Sequence, residues 1–403
     1  MDLLTFIDAL LVTNPTNIRY LTGFAGSVPE EREAYVLLTK TQAYLFTNVL
    51  YREEAKRLTQ NPISFKRLNL LGSLALQGLT LMEISREEPF SKKLAEILKR
   101  CHPAQRGDTL KRVRLGFEEH DLTVAEYHKI MHVHKNVTLS PTQNRVEELR
   151  MIKREDEIEN IRAAAGLADR CFDFILGKLK PASHRRGSAS RGRHGVTEGE
   201  IAWEIESFIR SRGAELAFSP IVAFGKNTSQ PHHNVQPQGP ALSVNHPNIV
   251  ILDFGAKVNG YCSDMTRVVF VGKPKEEWVK AYGTVLQAQA AALEYLASRP
   301  GLEATGGKAD RLAREVIIKA GFPSYPHSLG HGVGLDIHEA PRLTVKKDPS
   351  TSSGQALKPG MVVTIEPAIY KEGSYGIRIE DLVLLKKDGI EILSKSHKEM
   401  IIL

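Results

Sequence analysis

Short apolar runs with strand spacing dominate the first third of the chain. ALLVT (9–13), AYVLLT (34–39), AYLFT (43–47), LMEIS (81–85) and RVRLGFE (112–118) each read as a strand. They alternate with stretches at 89–100 and 123–134 whose apolar residues recur at helical spacing. Alternation of the two periods predicts an α/β unit over roughly residues 1–135. The pattern changes at NVTLSPTQNRVEELRMIK. LSPTQN (139–144) has the chemistry of a turn and a helix start, and a charged helix over about 147–178 is expected after it. The expected boundary lies near 140–146, giving domains of 1–140 and 146–403. Helices are then expected at 197–213, opened by the capping pair Thr197 and Glu200, and at 275–298 and 306–320.

Between and after these helices, five apolar runs carry a charged or imidazole side chain. IVILDFG contains Asp253, YCSDMTRVVFV contains Asp264, and HSLGHGVGL contains His331. MVVTIEPAIY contains Glu366, and YGIRIEDLVLL contains Glu380. A carboxylate inside a β-branched run is costly to bury unless a cation or a hydrogen-bond donor offsets it. Four carboxylates close together would repel strongly, and two divalent metals would neutralise them. Carboxylate and imidazole donors suit manganese, cobalt, iron or zinc, and the lack of thiolates argues against a closed structural zinc site. Two such metals can hold a bridging water as hydroxide, ready to attack a carbonyl or phosphoryl centre.

Composition narrows the remaining classes. The 403 residues suffice for two cores, and 42% hydrophobic with 25% charged residues is ordinary for a globular protein. No apolar run approaches the roughly 20 residues of a membrane span, and the N-terminus has no basic flank of a signal peptide. Cys101, Cys171 and Cys262 are odd in number and without a CxxC spacing. That pattern argues against a disulfide framework and fits a reducing cytoplasm. Cys262 is expected to be a small packing residue. The net charge of +7 is partly local, in HRRGSASRGRHG (184–195). That run reads as a solvated loop; without interleaved aromatics it is a poor nucleic-acid surface. GHGVG (330–334) lacks the Lys-Ser/Thr ending of a phosphate loop. Its glycines are expected to let the backbone pass close to metals and substrate.

The order and wording of these motifs resemble the pita-bread metallopeptidases: prolidase, aminopeptidase P, methionine aminopeptidase and the metal-free creatinase. The likeness covers LDFGAKVNGYCSDMTR, HSLGHGVGLDIHEAPR, TIEPAIY and GIRIED, over roughly residues 147–403. IDALLVTNPTNIRYLTGFAGS resembles the leading domain of prolidase, aminopeptidase P and creatinase, which methionine aminopeptidases lack. The resemblance implies an α/β creatinase-like N-terminal domain and an α+β pita-bread catalytic domain with a curved, mostly antiparallel sheet. It implies two divalent metal ions per subunit, manganese before cobalt, zinc or iron, on Asp253, Asp264, His331, Glu366 and Glu380. It also implies a homodimer with no nucleic-acid or membrane partner.

The same resemblance marks further residues. His232 in NTSQPHHN matches a catalytic histidine, with His233 as the competing register. His338 matches a histidine that hydrogen-bonds the oxyanion or the scissile amide, and His327 falls to a supporting role. Arg378 matches an arginine that orients site groups, and Tyr370 a tyrosine beside the substrate. Arg342 matches a prolidase arginine that clamps a dipeptide's free carboxylate. Asn17 stands where some aminopeptidases P carry an acid for the substrate amine. The implied activity is hydrolysis of an Xaa-Pro bond, leaning to dipeptides, with longer peptides as the alternative. A non-catalytic peptide-binding module and a two-metal phosphoesterase remain as other classes. Ala368 departs from the usual glycine, and the segments 184–195 and 348–355 are longer than expected.

Overall fold

The structure, a computed structural model, describes residues 3–26, 32–60, 76–101, 112–133, 136–180, 195–236, 239, 241–242, 246–299, 304–345 and 356–403. Of the two long segments, 348–355 and all of 184–195 but Gly195 lie outside these residues. The chain divides into two compact units, Met1–Arg150 and Met151–Leu403.

The first unit is built on a six-stranded mixed sheet. Its strands are β1 (Ala9–Val12), β2 (Ala34–Thr39), β3 (Ala43–Asn48), β4 (Leu79–Ile84), β5 (Val113–Glu118) and β6 (Val137–Thr142), in the order β4-β3-β2-β1-β5-β6. The five apolar runs of the sequence are therefore strands β1 to β5. β6 was not anticipated: LSPT, read as a turn, runs parallel to β5 with Pro141 opposite Phe117. Proline is tolerated there because β6 is an edge strand with no neighbour needing its missing N–H. The helix Pro15–Thr22 starts on Asn14, whose side chain accepts from Asn17 N, and stops at Gly23 with φ 83°.

In the second unit the long helix expected at 147–178 is interrupted. One helix ends at Met151 and the next spans Glu155–Leu179. The break follows from one tertiary and one local contact: Lys153 N donates to Gly360 O at 2.8 Å, and Arg154 N is capped by Glu157 Oε2 at 2.9 Å. The next helix, Glu198–Arg210, has the expected reciprocal cap between Thr197 and Glu200. Helices Glu276–Ala297 and Gly306–Lys319 fall where the periodicity places them.

The strands of this unit are β7 (Glu215–Leu216), β8 (Ile221–Phe224), β9 (Asn248–Asp253), β10 (Ala256–Val258), β11 (Tyr261–Cys262), β12 (Thr266–Val271), β13 (Gly330–Gly332), β14 (Glu339–Leu343), β15 (Val362–Ile365), β16 (Ala368–Lys371), β17 (Tyr375–Arg378), β18 (Asp381–Lys386), β19 (Gly389–Ile392) and β20 (Ile401–Ile402). They form sheets β20-β12-β9-β8 and β14-β13-β15-β18-β19, with a small β11-β10-β7 sheet and the hairpin β16-β17. All neighbours are antiparallel except β12 and β20.

Ile249 and Ile251 of β9 and Val268 and Phe270 of β12 pack with residues of the helices Glu276–Ala297 and Gly306–Lys319. Val250, Leu252, Val269 and Val271, one position out of phase, pack with residues of the helices Glu155–Leu179 and Glu198–Arg210. A sheet buried on both faces needs apolar residues at every position, which is why these strands read as continuous hydrophobic runs. Polar side chains appear only where the runs end. No helix among the described residues is long and apolar enough to cross a membrane.

Candidate metal centre

Asp253 is the last residue of β9, and Asp264 lies in the short link from β11 to β12. His331 is the middle residue of β13, Glu366 follows β15, and Glu380 sits between β17 and β18. Asp253, Asp264, His331 and Glu380 are each at most 7% exposed, and the Glu366 side chain is 15% exposed. One ligand atom each of Asp264, His331 and Glu380 falls within 4.8 Å of the others. His331 Nε2 is 3.6 Å from both Asp264 Oδ2 and Glu366 Oε1. That spacing is too long for a hydrogen bond.

His331 Nδ1 lies 3.0 Å from its neighbour's carbonyl, Gly332 O. A carbonyl only accepts, so Nδ1 carries the hydrogen and Nε2 is left with its lone pair among the acids. Burial, followed by His338, pushes the imidazole down to about 3, which keeps it neutral and able to act as a ligand. The carboxylates move the other way. Burial first, then Glu380, Asp253 and Glu366, raises Asp264 well above its ordinary range. Burial and Glu380 do the same to Glu366, and burial with Asp253 lifts Glu380 to about 8.

The residues present fit divalent cations. Among the described residues, Asp253 Oδ1 and Asp264 Oδ1 are buried without a hydrogen-bond partner, a cost that native interiors avoid. Mutually repelling acids, two unpartnered oxygens and a neutral imidazole lone pair share one space. Positive charge there removes the repulsion and engages the orphaned atoms at once.

The surroundings orient this set. Thr266 Oγ1 donates to Glu380 Oε2 at 2.6 Å and accepts from Arg378 Nε at 3.0 Å. Arg378 also donates to Asp253 Oδ2 at 2.5 Å and to Tyr370 OH at 2.6 Å. Tyr370 OH lies 3.2 Å from His327 Nε2. His327 Nδ1 is 2.7 Å from Ser328 O and so carries the hydrogen. The Tyr370 hydroxyl therefore donates to His327. Burial pushes His327 down to about 4. His327 thus contacts Tyr370 and approaches Glu366 Oε2 at 3.9 Å, closer to the centre than a supporting residue need be. Thr266 was missed in the sequence; only its place two residues after Asp264 hinted at it.

His338 is exposed and its ring stands edge-on to His331 with centroids 4.4 Å apart. Arg342 is exposed and is the cross-strand partner of His331. The two neighbouring histidines have different surroundings. His232 is exposed, whereas His233 Nε2 sits 2.9 Å from the wholly buried Glu198. Ala368 is buried in β16 opposite Arg378. Cys262 is buried and free, its thiol pushed up to about 12 by burial.

The glycines of GHGVG make room for neighbouring protein atoms. A Cβ on Gly330 would lie 1.9 Å from Thr364 O, on Gly332 2.2 Å from Ala340 O, and on Gly334 2.6 Å from Glu339 Oε2. In the first unit, Asn17 is wholly buried. Its amide donates to Glu118 and Glu147 and accepts from Arg150.

Residues 159–387 match the metallopeptidase family M24, and residues 5–152 match the creatinase/prolidase N-terminal domain. The chain belongs to metallopeptidase family M24. The expected fold, a creatinase-type N-terminal domain followed by a pita-bread domain, is thus the one observed. An uncharacterized peptidase of Bacillus subtilis (strain 168) is 34% identical over 98% of this chain and 96% of its own length. The structure of an Xaa-Pro dipeptidase from Bacillus anthracis is similar, with a TM-score of 0.79 and 32% identity, over 99% of this chain and 96% of that one. An X-Pro aminopeptidase from Thermotoga maritima MSB8 superposes with a TM-score of 0.77 and 29% identity, over 99% and 98%. As an M24 metallopeptidase the chain uses divalent metal to act on peptides.

Proposed function

We propose that this M24 metallopeptidase hydrolyses the bond between a first residue and a following proline, and that its substrates are Xaa-Pro dipeptides. The observation that carries the metal reading is the convergence of Asp264, His331 and Glu380 beside two buried, unpartnered carboxylate oxygens. Asp253, Asp264, His331, Glu366 and Glu380 hold two divalent ions, manganese before cobalt, zinc or iron. Bound there, the metals supply Lewis acidity that activates water and polarises the scissile carbonyl.

The protein groups do the rest. Glu366, whose carboxylate lies 3.6 Å from His331 Nε2 at the edge of the cluster, accepts a proton and returns it to the leaving nitrogen. His232 and His338 hydrogen-bond the carbonyl oxygen and the amide, both exposed towards solvent where a peptide can enter. Arg378 holds Asp253 and Tyr370 in place, and Tyr370 borders the substrate. Arg342, exposed beside His331, clamps the free carboxylate of a dipeptide with its planar fork. The reading includes a cytoplasmic homodimer with peptide as its partner.

Cleavage of longer peptides is the second reading, favoured by the likeness to an X-Pro aminopeptidase. The test is proline release from Xaa-Pro dipeptides and cleavage of Xaa-Pro-Xaa tripeptides by metal-stripped enzyme resupplied with manganese, cobalt or zinc. Dipeptide turnover alone, lost in Arg342→Ala, supports the proposal. Tripeptide turnover moves the assignment to an aminopeptidase. Metal binding without turnover of either leaves a peptide-binding role.

A further inference from the structure

Glu198 stands in the first turn of the helix Glu198–Arg210 and is wholly buried. The positive end of the helix favours its charge, but a buried carboxylate also needs donors. It has three. Oε1 accepts from Phe224 N at 2.7 Å and from Asn227 Nδ2 at 2.9 Å. Oε2 lies 2.9 Å from His233 Nε2. A carboxylate accepts only, so Nε2 carries the hydrogen.

These donors come from the beginning, middle and end of one segment, Phe224 to His233. The segment is fastened elsewhere as well. Gly376 N donates to Thr228 Oγ1 at 2.8 Å, and a Cβ on Gly376 would come within 2.0 Å of Thr228 O. Arg378 Nη1 reaches Pro231 O at 3.3 Å. His232 is therefore flanked by two anchors, the Pro231 carbonyl and the His233 ring. Its own ring makes no such tie among the described residues. It is exposed, and the carbonyl that precedes it is bound by Arg378, the same guanidinium that holds Asp253.

We propose that Glu198 and His233 form a positioning pair that sets His232 against the metal centre. The pair touches neither metal nor substrate; it fixes the backbone on the far side of His232, and the inference rests on the role given to His232 above. Small displacements of a catalytic group lower turnover steeply.

The test is a double-mutant cycle on kcat and KM with His232→Ala, His233→Ala and the double variant, each with metal content and thermal midpoint measured. His233→Gln is included because its amide nitrogen replaces the Nε2–H donor at nearly the same reach. The expected result is a fall of up to about 100-fold in kcat for His233→Ala with metal content unchanged. No further loss appears in the His232→Ala background, and His233→Gln recovers most of the activity. An equal loss in both backgrounds, or a loss that tracks metal content, shows a structural role and overturns the proposal. Full activity in His232→Ala overturns the role of His232 and the pair with it, an outcome distinct from additivity.

Discussion

Arg378 Nη2 donates to Asp253 Oδ2 at 2.5 Å, and both side chains are buried. This contact uses one oxygen of Asp253 and leaves Oδ1 without a partner among the described residues, so the arginine decides which oxygen faces the metal space. The same guanidinium also serves Thr266, Tyr370 and Pro231 O. Lysine is a point charge and cannot span four acceptors set in a plane. Arg378→Lys is expected to lower kcat/KM by about 10- to 100-fold. Arg378→Met leaves the Asp253 charge uncompensated and is expected to cost about 3–5 kcal/mol in denaturant unfolding of the metal-free protein. Wild-type kinetics in Arg378→Lys would show that the fork geometry is dispensable.

The acid cluster makes a second prediction with opposite signs in two states. Without metal, Asp264 is repelled by Glu380, Asp253 and Glu366 in a buried space. Asp264→Asn removes one of these charges and is expected to leave the metal-free protein as stable as wild type, or more so. With metal at 100 times its Kd, wild type gains about 2.7 kcal/mol, and the variant gains far less. Melting curves with chelator and with added manganese decide it. A variant that is strongly destabilised without metal, or that keeps the full gain, contradicts the assignment.

Much of this centre is legible in the sequence because strands buried on both faces have no reason to carry acids. Asp253, Asp264, Glu366 and Glu380 stand out against Val250, Leu252, Val269 and Val363 for that reason. What stays hidden is set by contacts distant in the chain. The helix break at Lys153 is set in part by Gly360 O, far along the chain, which the segment itself does not reveal; the local Glu157 cap then restarts the helix. Glu198 looks like any acid at a helix start, since the dipole alone justifies it. Pro141 suggests a turn because the edge position of β6 is a property of the sheet, not of the segment.

A third prediction concerns pH and the first unit. Glu118 is 9% exposed. Its oxygens accept from Thr13 N at 2.6 Å, Asn14 N at 2.7 Å and Asn17 Nδ2 at 2.6 Å. Burial outweighs these donors, and with Glu147 nearby the carboxyl is pushed up to about 7 from an ordinary 4.5. The folded state therefore holds this proton more tightly than the unfolded state. The stability this contributes is fully present below about 4.5 and is lost as pH rises through about 7. Glu118→Gln cannot ionise. Between pH 5 and 8, wild type is expected to lose stability relative to Glu118→Gln, with the metal-site acids cancelling between the two proteins. Denaturant melts of both across this range check it. A difference that is constant, or that grows in favour of wild type as pH rises, shows a carboxylate ionised throughout.

The last prediction concerns the neighbour of His338. Lys153 Nζ lies 3.1 Å from Glu339 Oε2, with side chains 1% and 6% exposed. Glu339 Oε1 accepts from Asp336 N at 3.1 Å, which closes the turn that carries His338. The carboxylate packs closely over Gly334, where a Cβ would lie 2.6 Å from Oε2. Breaking a buried pair by removing one partner strands the other charge, whereas replacing both with apolar groups does not. Lys153→Met and Glu339→Leu are each expected to cost about 3–5 kcal/mol in denaturant melts. The double variant is expected to cost less than either alone. Activity should separate the two roles of the pair. If Glu339 also holds the turn, the double variant regains stability but keeps a lowered kcat, because Asp336 N has lost its acceptor and His338 is no longer held. Strict additivity of the two single effects on stability would show that the charges are solvated and do not depend on each other.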